Sequence, residues 1–563
     1  MQKLLLITLV ASTLAACTNE QASTDTSEFD AALDLAAQQI DEVSLMERIR
    51  TLSSDEFEGR APSTPGGKKT VEFIEQEMKN IGLEPAFGSA EDASYRQPVE
   101  LIEQMVTNSP SIVVEYADGT TDELVYAENS VSFTAKTSEA TGLENSQLVF
   151  VGYGVVAPEY GWNDYEGVDM AGKTAVILVN DPGYRAASPD LFKGKTMTYY
   201  GRWTYKFEEA ARQGAAGAIV IHETGAAGYG WDVVAGSWSG AQYMLYSADG
   251  NTDASDVSAW MSMDAAQNLF SKNGMDYTAM VERAGIQGFK AISLETSVST
   301  SLEMTSKRSV SYNVAGKIAG KSASDEAFIY TAHWDHLGVK ASVDGEDKIF
   351  NGAQDNATGT AGLLEMAEAF KALPESPDRS VVFLAVTAEE SGLLGSKYYG
   401  ENPAVPMNKT VAGINTDAIQ TFGATDDIVV VGYGNSEMDK YLAEVAADQG
   451  RVLVQEPTPE KGFFYRSDHF NLAKKGVPML YAKAGTQVRG KDADYGSTES
   501  ARYISERYHK PGDEIHADWD NGAIMQDLEA NFKLGAKLSN SDIWPAWAEG
   551  NEFKAIRDAS LAE

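Results

Sequence analysis

Cysteine is almost absent from this 563-residue chain. Cys17 is the only one, so no disulfide can form within the chain and its body carries no catalytic thiol. Histidine is scarce too, six in all, which makes any motif that uses one informative. No GxSxG occurs: GSWSG at 236–240 has Trp238 at its centre, so a serine nucleophile elbow is excluded. Phosphate-binding loops and dinucleotide fingerprints are missing from any strand-turn-helix context. Basic residues number 45 against 83 acidic ones, a formal charge of −38. Such a surface repels nucleic acid and anionic lipid at close range, so neither is an expected partner; it is a solvated acidic coat suited to salt-rich surroundings. Long apolar runs are also lacking, since the Leu4–Val10 stretch is too short to span a bilayer and no later stretch approaches that length.

Lys3, the Leu4–Val10 run and Leu14-Ala15-Ala16-Cys17 have the order of a targeting segment over residues 1–17. Small residues directly before a cysteine resemble a bacterial lipoprotein signal. That resemblance implies a lipidated Cys17, and Thr18 in place of an aspartate implies the outer membrane. The expected location is therefore the cell envelope of a bacterium, lipid-anchored and facing periplasm or exterior, with residues 18–28 as a polar flexible tether.

The length leaves room for two or three domains. Val71, Ile74, Met78 and Ile81 fall on one face and Gly82 follows, which predicts a helix over 69–81 after the loop-like EFEGRAPSTPGG. Residues 29–107 form the first part of one domain. Over 108–308 short runs (IVVEY, QLVFVGYGV, TAVILVN, AIVIH) alternate with glycine-rich turns and a helix at 204–212, a β-rich α/β insert. Its aromatic cluster (Tyr199, Tyr200, Trp203, Tyr205, Phe207) is expected in core or inter-domain packing. Over 309–563 the pattern becomes strand-loop-helix and ends in a helical tail. FIYTA, SVVFLAV, VAGIN, IVVVGYG and PMLYAKA are near-continuous apolar runs, as a sheet buried on both faces requires. The fold class is α/β, a doubly wound and mostly parallel sheet, in which ligands bind outside the carboxyl ends of the strands.

Chemistry-bearing residues follow apolar runs or open helices: His333 and Asp335 in AHWDHLG, Asp355 in NGAQDNATG, Glu389-Glu390 in VTAEESG, Asp417 in INTDA, His509 in RYHKPGDE, with His333, Glu389, Glu390 and Asp417 at or just past strand ends. A two-metal hydrolase needs a carboxylate to bridge its ions, imidazoles and carboxylates to complete each side, and one further carboxylate to move a proton. This set supplies all of them. His336 and His469 are further imidazoles in or near the same motifs, while His222 and His516 are expected to be structural or exposed.

In these motifs the chain resembles the co-catalytic di-zinc exopeptidases, the family of bacterial secreted aminopeptidases, glutamate carboxypeptidase II and the transferrin receptor. The insert resembles, more loosely, a protease-associated domain. The resemblance implies two zinc ions bridged by Asp355, one completed by His333 and Asp417, the other by Glu390 and His509. It further implies Asp335 behind His333 as acceptor of its second ring N–H, Glu389 as general base and then acid, and Tyr508 as donor to the developing oxyanion. A cis peptide at Asp355-Asn356, a supporting role for His336 and a non-ligating His469 belong to the same pattern. Gln354 departs from it, standing where many relatives have an acid. The expected activity is removal of N-terminal residues from peptide substrates. A carboxypeptidase, with Arg466 or Arg502 gripping a terminal carboxylate, is the alternative, and beside it stand a non-catalytic receptor and a single-zinc cyclase.

Overall fold

The computed structural model of the protein describes residues 28–89, 91–186, 188, 191–340 and 348–562. Cys17, the targeting segment and most of the tether lie outside the described residues. Among the described residues no helix is long and apolar enough to cross a membrane.

Eight strands of the sheet that carries the motifs position the site: β1 Arg96–Val106, β2 Ile292–Ile318, β3 Ala323–His333, β4 Arg379–Val386, β5 Thr410–Asn415, β6 Asp427–Val430, β7 Val452–Gln455 and β8 Met479–Ala484. At the centre β4, β3, β5 and β8 run side by side and parallel. Antiparallel partners flank them, β2 and then β1 beyond β4, and β6 beyond β8 with β7 parallel to it. The sheet is thus parallel at its centre and mixed at its margins. β4 and β5 are buried at every position, because helices cover both faces and leave no side for a polar residue.

Alternation along β3 shows the two layers. Phe328 and Tyr330 pack with Ile74 and Met78 of α1 (Pro65–Ile81), Leu363 and Phe370 of α2 (Thr358–Lys371), and Leu528 and Phe532 of α3 (Gly522–Ser539). Ile329 points the other way, to Val382, Leu384, Tyr399 and Leu472. Each such large apolar side chain contributes ~1.5–3 kcal/mol through its burial.

α1 begins four residues before its expected start at residue 69. The Thr64 side chain accepts the N–H of Gly67 at 3.2 Å, Pro65 occupies the first helical position, and Gly82 closes the helix in the left-handed region. Gly66 is required here, since a Cβ would lie 2.0 Å from the carbonyl oxygen of Phe57. That contact presses the helix start against the turn Asp55–Arg60.

The insert has its own sheet, in which Ala140–Phe150, Thr174–Leu178, Gly217–Ile221 and Val257–Met261 run parallel. The long strand β2 serves both sheets. Its first half lies between Ile112–Tyr116 and Ala140–Phe150, its second half between β1 and β4. The expected boundary at 308 therefore falls inside a strand and not in a linker. The aromatic cluster does bridge the two parts: the ring of Tyr199 is 5.0 Å from that of Phe470, and Lys474 Nζ donates to its hydroxyl at 2.7 Å.

Candidate metal centre

His333 is the last residue of β3, Glu389 and Glu390 follow β4, and Asp417 follows β5. Asp355 sits in the tight turn ahead of α2, on the carbonyl side of a cis peptide bond to Asn356. His509 comes from the loop after helix Tyr495–Glu506, with φ 55°, a left-handed conformation uncommon for a residue with a side chain. All of these positions lie at the carboxyl edge of the parallel strands.

The donor atoms converge around Asp355. His333 Nε2 is 3.3 Å from Asp355 Oδ1 and 3.3 Å from Asp417 Oδ1. On the other side His509 Nε2 is 3.3 Å from Asp355 Oδ2 and 3.0 Å from Glu390 Oε2. The two oxygens of one carboxylate therefore face two different imidazoles. His336 joins this second side, with Nδ1 2.7 Å from Glu390 Oε1. Ligand atoms of His333, Asp355 and Asp417 lie within 4.8 Å of one another, as do those of His336, Asp355 and Glu390. His336 thus stands among the donors, closer to them than a supporting role required.

Several polar atoms here have no conventional partner. Both ring nitrogens of His336 and Oε1 of Glu390 are buried without a hydrogen bond, their short contact being misaligned for one. Buried polar atoms left over where imidazoles and carboxylates converge fit a cation. Zinc suits this donor set, and cobalt or manganese can share it.

Charge is concentrated accordingly. Burial opposes protonation of His333, yet Glu389, Asp417 and Asp355 outweigh it and hold its pKa well above the ordinary value. His509 is raised to about 10 in the same way, burial being overcome by Asp355 and Glu390. Burial pushes Glu389 well above the usual carboxylate range, and repulsion from Glu390, Asp468 and Asp417 adds to it. Glu390 goes the other way, to about 2, because His336 and His509 outweigh its burial and the repulsion of Asp355. Two adjacent glutamates are thus driven apart, one held ionised and its neighbour able to carry a proton.

Asp335 differs from its expected part. Its Oδ1 is 4.0 Å from His333 Nδ1, beyond hydrogen-bond reach, and that nitrogen faces the main-chain oxygen of Asp335 at 3.2 Å. The carboxylate is engaged elsewhere, accepting the N–H groups of Glu389 at 3.0 Å and Glu390 at 3.4 Å. Tyr508 is 41% exposed at the mouth of the cleft, its ring stacked 3.9 Å from that of His509. His469 is fully buried between Phe464 and Tyr481 and belongs to neither donor group. His222 is buried, and Nε2 of its ring meets the Tyr229 carbonyl at 3.0 Å.

Three supporting residues were not singled out in the sequence. Arg60 is buried and donates to the carbonyls of Leu52, Trp334, Asn351 and Gly352 at 2.6–2.9 Å, joining the segments that carry His333 and Asp355. Asp513 accepts the N–H groups of Gln354 and Asp355, each at 3.0 Å. Ser467 donates to Asp417 Oδ2 at 2.6 Å and is held by Asn415 at 2.7 Å. An acid four residues after His509 is the one cue that pointed toward Asp513.

Residues 313–532, which run from β2 into α3 and contain every candidate metal ligand named above, match the family model described as Peptidase family M28. This segment is an M28 peptidase domain. Over 113 residues the chain is 32% identical to Aminopeptidase YwaD of Bacillus subtilis (strain 168), 20% of this chain and 22% of that protein. A probable zinc metalloprotease of Pyricularia oryzae is 23% identical over 265 residues, 44% of this chain and 52% of its own. Leucine aminopeptidase 2 of Arthroderma otae is 25% identical over 255 residues, 43% and 50% respectively. The chain thus spans about half or less of the length of these curated relatives. A solved aminopeptidase from Aneurinibacillus sp. strain AM-1 aligns over 90% of this chain and 95% of its own at 18% identity, with a TM-score of 0.47. The M28 domain here is the part that holds the donors; the insert lies outside the match.

Proposed function

We propose that the protein is a zinc-dependent aminopeptidase, in which Asp355, His333, Asp417, Glu390 and His509 would hold the zinc ions. The observation that carries this reading is the division of Asp355, whose two oxygens face imidazoles from opposite ends of the domain. A bound pair of zinc ions would supply Lewis acidity and an acidified water to the cleft. The chain's own residues supply the rest. Glu389, kept from ionising freely by burial and neighbouring acids, takes a proton from the attacking water and returns it to the leaving amine. Tyr508, beside His509, donates its hydroxyl to the oxyanion that forms as the carbonyl is attacked. Asp335 fixes the glutamate loop through its two main-chain contacts, and Ser467 fixes Asp417.

The insert acts as a protease-associated module over the cleft, limiting entry to chain ends. Lipidated Cys17 tethers the protein to the outer membrane of a bacterial envelope. Aminoacyl and N-blocked peptides test the activity: an aminopeptidase releases single residues only from a free N-terminus. Release of C-terminal residues from N-blocked peptides would support the carboxypeptidase instead, and no hydrolysis by the zinc-loaded protein would support a receptor.

A further inference from the structure

Glu390 is divided between two imidazoles, as Asp355 is. Its Oε2 lies 3.0 Å from His509 Nε2, and its Oε1 lies 2.7 Å from Nδ1 of His336. The rings of these two histidines stand 5.8 Å apart, centre to centre. His336 is 1% exposed, and neither of its ring nitrogens has a hydrogen-bond partner among the described residues. Oε1 of Glu390 has none either, so the short contact between the two is no hydrogen bond. A buried donor or acceptor left this way is costly, and here two of them face each other.

His469 also has both ring nitrogens unmet, but it sits between Phe464 and Tyr481, outside either donor group. His336 sits inside one, its ligand atom within 4.8 Å of those of Asp355 and Glu390. The fold holds the ring there. It packs directly on the turn that carries Asp355, where a Cβ on Gly352 would meet ring atoms Cγ and Cδ2 at 2.6 Å, so the glycine is what admits the imidazole. The main-chain N–H of His336 reaches the Arg60 carbonyl at 3.4 Å. His509, by contrast, comes from a loop, and its side chain is 37% exposed.

We propose that His336 is itself a metal ligand, its Nδ1 joining Asp355, Glu390 and His509 around the ion on the His509 side of Asp355. The four residues HWDH then give one imidazole to each ion, His333 to one and His336 to the other. The inference rests on the two-metal reading above and adds a ligand to it. A cation between the facing atoms satisfies Nδ1 and Oε1 together and leaves the ring proton on Nε2. The competing role is that of a positioning residue, in which Nδ1–H orients Glu390 and touches no metal. A glutamine can take over that second role, since its amide also donates, but it does not replace a ring nitrogen on zinc.

Two measurements on the full-length protein test this. In the cobalt-loaded form, each histidine bound to the metal gives one exchangeable, strongly shifted ring N–H signal in the proton NMR spectrum. Three such signals are expected, from His333, His336 and His509; two overturn the proposal. Zinc-loaded parent, His336→Phe and His336→Gln are then titrated with a chelator. Both variants should bind one of the two ions more than ~100-fold more weakly, beyond the loss that an orienting partner causes. Near-normal retention of both ions by His336→Gln assigns the positioning role and overturns the ligand. Should a variant fail to fold, the signal count in the parent decides alone. A parent that holds fewer than two zinc ions brings down the two-metal reading and this ligand with it, whereas two ions with two signals bring down the ligand only.

Discussion

Asp335 accepts the main-chain N–H of Glu389 at 3.0 Å, and so ties the β3 end to the loop after β4. The carboxylate steers the glutamate pair and not the imidazole of His333. Asp335→Asn presents an amide N–H₂ or a single oxygen to two main-chain donors, which frees the loop. The expected outcome is a fall in kcat of ~10–100-fold, with zinc content at His333 preserved. Steady-state kinetics and metal analysis on one preparation check it; loss of zinc with normal kcat per bound ion would contradict it.

Glu389→Gln removes the proton carrier and leaves every proposed ligand in place. We expect kcat to fall by ~10²–10⁴-fold with both ions retained. Near-normal turnover would remove Glu389 from its role.

Arg60→Met removes a donor from four buried carbonyls at once, of which Gly352 alone keeps another in the N–H of Ala357 at 3.2 Å. The expected loss is at least ~3 kcal/mol in urea denaturation, since each orphaned group costs on the order of 1 kcal/mol or more. Arg60→Lys keeps the charge but cannot reach carbonyls on so many segments, so it should fall between. A variant as stable as the parent would show that water replaces the guanidinium there.

His469 gives the protein a pH dependence of definite sign. Burial lowers its pKa from 6.5 to about 3, against the opposing pull of Asp417. Unfolded chains take up this proton near pH 6.5 and the folded protein does not. The stability it contributes is fully present above that pH and is lost as pH falls toward 3, at up to ~1.4 kcal/mol per unit. His469→Leu should flatten the fall between pH 7.5 and 5.0 by about one proton's worth. Identical slopes for variant and parent would mean that the folded ring titrates normally.

The parallel centre was legible because strands covered on both faces write continuous apolar runs, as SVVFLAV does for β4. The donors were legible for a related reason: His333, Glu390 and Asp417 sit at or just past the ends of those runs, where such folds open their clefts. β2 was not, because its first half is polar on the exposed side and crosses between sheets without any turn to mark it. Nor were Arg60 and the partners of Asp335, because both residues meet main-chain groups. Trp334, Asn351 and Gly352 offer carbonyls more than 270 residues from Arg60, and no side-chain pattern records which backbone groups will meet. His336 falls between these cases: its motif was plain, but its approach to Glu390 joins segments that only the folded sheet brings together.

Diffraction from zinc-loaded crystals at the zinc absorption edge tests the central claim most directly. The account predicts two anomalous peaks astride Asp355, one bound by His333 and Asp417, the other by Glu390 and His509. A single peak, or two peaks with Asp355 bound to neither, would contradict it.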